Sequence, residues 1–227
     1  MKKLIITTII LLSISYVFSQ ESERNNASFS LGDGISFSFN EGDYEFNIYG
    51  FIKPTYIYND EKIYTADGEY SNVFRQFKSQ NSNLFFTGFA KDEKLSFTIQ
   101  MDYSSSNPLV EAFIGYHFNE KTTLYFGQMQ VNHNNLEMTH NEDRLRFTNR
   151  GILSQTYTEN GEEFGLFFET SFGKSIIFKP TLAITSGDGK NSFGDDSRDS
   201  DKGGVKFGSR INIFPFGDFS IGNGRST

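Results

Sequence analysis

The sequence predicts an all-β fold, an antiparallel up-and-down transmembrane β-barrel, and three observations support this prediction. First, apolar and polar residues alternate in nearly every segment; in 95–103 the odd-numbered residues are apolar and the even-numbered ones polar. Second, short and long connections take turns along the chain, as on the two sides of an outer membrane. Third, 26 Phe and 11 Tyr accompany a negative mean hydropathy, which is typical of strands that face lipid and water alternately. Composition also leaves open a soluble, aromatic-rich β-sandwich.

The first nineteen residues have the features of an export signal. Lys2 and Lys3 precede the apolar run 4–18, and Ser19 is the small residue that signal peptidase requires. Without residues 1–19 the chain has 19 basic and 28 acidic residues, a net charge of −9, which argues against nucleic acid or anionic lipid as a general partner. The chain has no Cys and therefore neither a disulfide framework nor a thiolate metal site.

The segments follow in order after the export signal. Residues 35–39 alternate but are too few to cross a bilayer, which takes about nine to eleven residues per strand, so we expect residues 20–43 to be an N-terminal periplasmic arm. A partial transmembrane barrel is predicted for 44–227. Its nine strand segments are 44–59, 74–90, 95–103, 109–118, 122–130, 163–172, 175–186, 203–214 and 219 to the end.

The connections between these segments alternate in length. Residues 60–72 are predicted to be a long polar loop, and residues 131–162 a longer one, whereas 91–94, 119–121, 173–174 and 215–218 are predicted to be tight turns. Bacterial barrels close with an even number of strands, and an open sheet cannot satisfy its edge groups in lipid. We therefore expect these 227 residues to be roughly the first half of a barrel, whether by natural truncation or as a fragment.

Several ordered motifs lie between residues 44 and 221, namely Ala112-Phe113-Ile114-Gly115-Tyr116-His117-Phe118, Leu124-Tyr125-Phe126-Gly127-Gln128, Arg146-Phe147 to Arg150, Gly187-Asp188-Gly189, and Gly208-Ser209-Arg210 to Pro215-Phe216-Gly217-Asp218-Phe219. Together these motifs resemble the phosphate-selective porin O and P family of bacterial outer membranes. The resemblance implies a sixteen-stranded barrel, usually a homotrimer, with anion-preferring pores. Val131-Asn132-His133-Asn134 and Asn149 depart from the family pattern, and the phosphate-binding basic residues have no match here.

Residues 131–162 correspond by count to the loop that folds inward in general porins. A pore constriction is predicted there from the charged residues Arg144, Arg146, Arg150, Glu137, Glu142 and Asp143, because opposite charges facing each other across a constriction create a strong field. Solvated loop charge is the alternative. The polar alternation assigns the lumen wall to Lys53, Lys179, Lys206, Arg210, Asp102, Glu111 and Glu169, together with Glu45. This wall is balanced in charge.

Catalysis and metal binding are not expected. His133 and His140 lie in a polar loop near Asn134, Asn135 and Asp143, but no serine lies in a nucleophile motif. The acidic run Asp188, Asp195, Asp196, Asp199 and Asp201 lacks the glycine and terminal glutamate of an EF-hand. No cofactor is predicted.

The function expected from these patterns is passive diffusion of small hydrophilic solutes, including anions such as phosphate, through a porin in the bacterial outer membrane. The partners expected are outer-membrane lipid, the solutes and, at full length, two further copies in a homotrimer. A non-conducting structural or adhesive outer-membrane barrel is the alternative function.

Overall fold

A computed structural model describes residues 25–90, 93–131, 161–187 and 204–217. They form thirteen β-strands and one short 3-10 turn, Asn40–Gly42. The strands are β1 Asn26–Ser30, β2 Gly34–Phe39, β3 Tyr44–Gly50, β4 Pro54–Thr65, β5 Gly68–Ser79, β6 Asn83–Ala90, β7 Leu95–Asp102, β8 Leu109–Asn119, β9 Thr122–Gln130, β10 Glu162–Thr170, β11 Phe172–Gly173, β12 Ile177–Thr185 and β13 Lys206–Phe214.

Eleven of these strands form one antiparallel sheet. The order is β1-β2-β3-β6-β7-β8-β9-β10-β12, with β11 and β13 both paired to β12. Apart from β4, β5 and the two-residue β11, neighbours in the sheet are neighbours along the chain, so the all-β, up-and-down fold predicted from the sequence is confirmed. Within the described residues no ladder joins β1 to β13, and the sheet is open.

Strands β4 and β5 form a separate two-stranded hairpin, and here the sequence-based prediction was wrong. We expected continuous strands at 44–59 and 74–90 separated by a polar loop at 60–72. Instead, β3 ends at Gly50, and β4 pairs with β5 along its whole length, from Pro54↔Ser79 to Thr65↔Gly68. The backbone N–H and C=O groups of 60–72 are paired between the two strands of the hairpin. Polar side chains therefore did not prevent this segment from forming strands.

The junction between hairpin and sheet contains an irregularity that the alternation pattern concealed. Phe51 and Asn83 exchange two backbone hydrogen bonds, and the Gln80 amide donates to the Lys53 carbonyl. Between the Phe51 and Asn83 pair and the Pro54↔Ser79 pair, the chain has two residues before β4 (52–53) and three residues after β5 (80–82). Asn81, in the longer of these segments, has φ +47°, a conformation that asparagine tolerates well. This one-residue insertion is a β-bulge, and it shifts the faces of β5 relative to β6.

The segment predicted to be an N-terminal arm joins the sheet. Strand β2 pairs with β3 from Ile35↔Ile48 to Phe39↔Tyr44, and β1 pairs with β2. Six residues of β2 match the short alternating run seen in the sequence. Its periplasmic location stays a prediction. The predicted signal peptide, residues 1–19, lies outside the described residues, as do 132–160 of the long loop and the segment from 219 onward.

The remaining strand predictions agree with the structure to within three residues at either end. They correspond to β7, β8, β9, β10, β12 and β13, and the turn at residues 120–121 joins β8 to β9 as expected. Tyr125 lies over Gly115 on the neighbouring strand: a Cβ added to Gly115 would lie 2.8 Å from that ring. Glycine at this position therefore lets an aromatic side chain cover the backbone of the sheet.

Candidate functional site: the polar face of the sheet

The sheet has two chemically different faces, which the strand register assigns directly. Residues opposite one another in an antiparallel ladder share a face, so the pairs Phe85↔Gln100, Gln100↔Glu111 and Thr181↔Arg210 lie on one side. We call this side the polar face. Its charged residues are Glu45, Asp102, Glu111, Glu163, Glu169, Lys179, Lys206 and Arg210.

The opposite side, which we call the apolar face, is almost uncharged. Among the described strands of the sheet it carries a single charged residue, Glu162, at one end of β10, where this side chain is buried. Its exposed large hydrophobic residues include Ile99, Ile114, Tyr116, Phe126, Leu166, Leu182, Ile184, Phe207, Ile211 and Ile213. Apolar side chains thus cover the width of the sheet from β7 to β13 on this side.

Burial runs opposite to the pattern of a water-soluble sheet. The fully buried aromatic side chains Phe85 and Phe167, each 1% exposed, lie on the polar face, as do Tyr125 and Ala183. On the apolar face Leu182 is 53% exposed, although its neighbour Ala183 is 5% exposed. Each described strand makes its main contacts with the strands to which it is hydrogen-bonded, so no described element forms a layer over the apolar face.

Polar side chains on the polar face are linked in short hydrogen-bond networks. The Gln100 side-chain amide donates to Asn83 Oδ1 across β6 and β7, at 3.0 Å. Glu111 Oε1 accepts from the Gln130 backbone amide at 2.9 Å. His117 lies between two hydroxyls, with Nε2 2.9 Å from Ser96 Oγ and Nδ1 3.0 Å from Thr123 Oγ1. Buried polar groups are therefore largely satisfied, as a folded sheet requires.

An ion pair on this face joins three strands. Lys206 Nζ on β13 lies 2.6 Å from Glu163 Oε1 on β10, and Thr185 on the intervening strand β12 donates to the other carboxylate oxygen. The Glu163 side chain is 1% exposed and that of Lys206 is 46% exposed. The carboxylate is thus held by a charge-assisted pair within the sheet while the ammonium retains contact with solvent.

Two buried side-chain atoms in the described residues have no hydrogen-bond partner. They are Gln128 Oε1 and Gln130 Nε2 at the end of β9, where Gln128 Nε2 donates to the Val110 carbonyl at 2.8 Å. This end of β9 borders the long connection, and the buried polar residues gather there: Asn83, Gln100, Glu111, Glu162, Glu163 and Thr185 all lie near that end of their strands. The sheet is therefore most polar at the end that carries the longer connections.

The structure places most of the predicted wall residues together. Asp102, Glu111, Glu169, Lys179, Lys206 and Arg210 share the polar face, as the alternation indicated. Lys53 lies instead in the 51–53 connection between β3 and β4, where its backbone amide donates to Ser82 Oγ at 3.1 Å. That these residues line a lumen stays a prediction.

The predicted constriction residues Arg144, Arg146, Arg150, Glu137, Glu142 and Asp143 lie outside the described residues, as do His133, His140 and the acidic run from Asp188 to Asp201. Within residues 25–90, 93–131, 161–187 and 204–217 no group of three or more His, Asp or Glu side chains is placed to hold a metal ion. In the same ranges no helix has the length and apolar character needed to cross a membrane.

Sequence reasoning did not single out Glu163, although the alternation that identified Glu169 also assigns Glu163 to the same face. The Ser96, His117 and Thr123 cluster was also missed, because its members come from three different strands and only the register brings them together. No protein-family model matches the chain, and comparison with curated proteins gives no significant match. The resemblance to the phosphate-selective porins therefore stays a prediction.

Proposed function

We propose that this protein is a bacterial outer-membrane porin whose sheet contacts lipid with its apolar face and borders a water-filled path for small hydrophilic solutes with its polar face. The observation that carries this proposal is the inverted burial. Exposed apolar patches on soluble monomers rarely exceed a few hundred Å², whereas here large apolar side chains are exposed from β7 to β13. Contact of that face with the hydrocarbon of a bilayer carries no hydrophobic penalty, whereas its exposure to water does.

The charge of the polar face supports a path for hydrophilic solutes without selecting a sign. Acidic and basic side chains both occur, and Lys206 and Glu163 compensate each other directly. Preference for anions such as phosphate, as well as assembly into a homotrimer, are further proposals that rest on the arginines of residues 131–162 and on the resemblance described above. In this account the protein is not an enzyme.

The packed aromatic side chains of the polar face favour a second candidate function. Phe113 and Tyr125 meet edge to face at 5.6 Å, and Tyr49 stacks on Phe85 at 4.6 Å. Small barrels whose interiors are filled by side chains conduct no solute. A non-conducting structural or adhesive outer-membrane barrel is the function that these contacts favour.

Single-channel recording distinguishes the two functions. The complete protein in planar bilayers is expected to give stepwise conductance, and a bulky residue on the polar face should lower it. Thr98→Trp is the test variant and Ile99→Trp its control, since these neighbours lie on opposite faces. Porin function predicts a lower step size for Thr98→Trp and no change for Ile99→Trp. Protein that inserts but never conducts would favour the non-conducting barrel, and an equal effect of both variants would contradict the assignment of the faces.

A further inference from the structure

The apolar face continues from the sheet into the β4–β5 hairpin. Because the ladder runs on through the Phe51 and Asn83 pair, the even-numbered residues of β3 and β4 stay on one side. Ile52, Tyr56 and Tyr58 on that side are all exposed. The column of apolar residues that begins at Tyr44 therefore extends beyond the sheet as far as Tyr58.

The chemistry of this column changes abruptly after Tyr58. Tyr56 packs against Phe77 with ring centroids 4.8 Å apart, and the Arg75 guanidinium lies over the Tyr58 ring at 5.4 Å. The following residues on the same side of β4 are Asp60 and Lys62. The hairpin thus passes from apolar to charged residues within one step of the ladder.

The length of the column matches the thickness of a bilayer. From Tyr44 to Tyr58 the strands rise about 46 Å at about 3.3 Å per residue. A strand tilt of about 40° reduces this to about 35 Å along the membrane normal, compared with about 30 Å of hydrocarbon. Tyr44 and Tyr58 therefore fall at opposite boundaries between hydrocarbon and headgroups, where tyrosine is favoured.

Within the described part of the chain, no carboxylate pairs with the Arg75 guanidinium at this level. Among the residues that the structure describes, its one interaction is with the Tyr58 ring. The nearby carboxylates on the same side are engaged elsewhere, since Asp60 accepts from the Ser71 hydroxyl and Glu69 pairs with Lys62 at 2.7 Å. An exposed guanidinium without a carboxylate partner has the geometry to take a phosphate through two parallel hydrogen bonds.

We propose that Arg75 and Tyr58 bind the phosphate of an anionic lipid headgroup. This proposal rests on the proposed function, because it requires the apolar face to contact lipid. Lipid is favoured over free phosphate because the exposed Phe77 ring lies next to Arg75 on the same side of β5, two residues further along. An acyl chain can cover that ring while the headgroup meets the guanidinium. A single basic residue at a membrane surface strengthens binding of an anionic lipid by about fivefold.

A tryptophan reporter can measure this preference, because the chain has no Trp. Tyr56→Trp puts the reporter on the same side of the hairpin and keeps Tyr58 and Arg75. In reconstituted vesicles, brominated phosphatidylglycerol is expected to quench this reporter with about fivefold higher relative affinity than brominated phosphatidylcholine. Adding Arg75→Gln should remove the preference. Lys78→Gln should leave it unchanged, since Lys78 lies on the opposite side of β5.

The outcomes separate this site from the proposed function. Ile114→Trp reports on the middle of the apolar face, and either brominated lipid should quench it. If Ile114→Trp is quenched but Tyr56→Trp shows no lipid preference, or one that survives Arg75→Gln, the site is overturned and the proposed function stands. If Ile114→Trp is not quenched, the lipid-facing assignment fails, and the site fails with it.

Two further checks complete the test. Loss of the preference on adding inorganic phosphate to the solution would overturn the assignment to a lipid headgroup. If circular dichroism shows that Tyr56→Trp disturbs the hairpin, Phe77→Trp serves as a reporter on the same rung of the ladder, with the same expected preference and the same effect of Arg75→Gln.

Discussion

The β4–β5 hairpin and the strands from β6 to β10 use the same antiparallel ladder but differ in what their side chains meet. In the sheet, side chains on the polar face bury one another, so Phe85 and Phe167 are inaccessible to solvent. All the residues of β5 are exposed, on both sides of the hairpin. The hydrogen-bonded ladder therefore determines the backbone geometry in both regions. How far the side chains are buried depends on how many strands lie beside them.

Two ion pairs of nearly equal length show this difference most directly. Lys62 and Glu69 in the hairpin lie 2.7 Å apart with side chains 63% and 45% exposed. Lys206 and Glu163 in the sheet lie 2.6 Å apart, but the carboxylate is 1% exposed. Solvent screens the first pair on both sides but reaches the second pair only through the lysine, so similar distances correspond to different contributions to stability.

The largest expected difference between the two regions comes from a pair of glycines with nearly the same φ angle. Gly127 in β9 has φ +134° and Gly68 in β5 has φ +133°. A Cβ on Gly127 would overlap the Ala112 carbonyl oxygen and lie 2.7 Å from Phe113 Cα, whereas a Cβ on Gly68 meets nothing within 4 Å. We expect Gly127→Ala to lower the free energy of unfolding by about 3 kcal/mol or more, and Gly68→Ala by about 1 kcal/mol.

Chemical denaturation in a lipid or detergent environment, followed by circular dichroism, measures both values. Because the two glycines share the same φ, the difference between the variants isolates packing against the neighbouring strand. Equal losses for Gly127→Ala and Gly68→Ala would show that backbone strain alone governs both positions, and the contrast between sheet and hairpin would not hold there.

A smaller difference is expected from the lysines of the two ion pairs. Lys206→Met leaves the Glu163 carboxylate buried, with Thr185 as its remaining partner among the described residues, so we expect the free energy of unfolding to fall by about 2 kcal/mol. Lys62→Met leaves Glu69 in water, and the loss should be below about 1 kcal/mol. Glu163→Gln is the matched control for charge, since it keeps an oxygen for Thr185 and leaves Lys206 able to reach solvent. It should cost less than Lys206→Met.

The sequence was sufficient to predict the sheet but not the hairpin, for a physical reason. In β7 and β13 each face of the strand meets one kind of environment, so apolar and polar residues alternate along the sequence. This alternation predicts both that the segment is a strand and which face each side chain lies on. In β4 and β5 both sides are largely exposed, and no burial requirement imposes alternation on residues 60–72. The bulge at Asn81 also shifted the parity between β5 and β6, which no alternation count could detect.

The sequence predicted those residues of the candidate site whose face follows from the alternation of odd and even positions along a strand. Asp102, Glu111 and Glu169 were assigned to one face from alternation alone, and the register agrees. Lys53 was assigned in the same way, but it lies in the 51–53 connection, because the strand that was expected to contain it ends at Gly50. The contact between Glu163 and Lys206 depends on which strands flank β12, and this information is absent from local sequence patterns.

Thiol accessibility along β12 tests most directly whether the apolar face lies in lipid, and the absence of Cys makes the chain suitable for it. Leu182→Cys and Thr181→Cys place single thiols on opposite faces, at an exposed and a half-buried position respectively. In membranes, a charged, membrane-impermeant maleimide is expected to label Thr181→Cys and to leave Leu182→Cys unlabelled. The reverse order, with Leu182→Cys labelled faster, is the behaviour of a sheet in water and would contradict the membrane assignment.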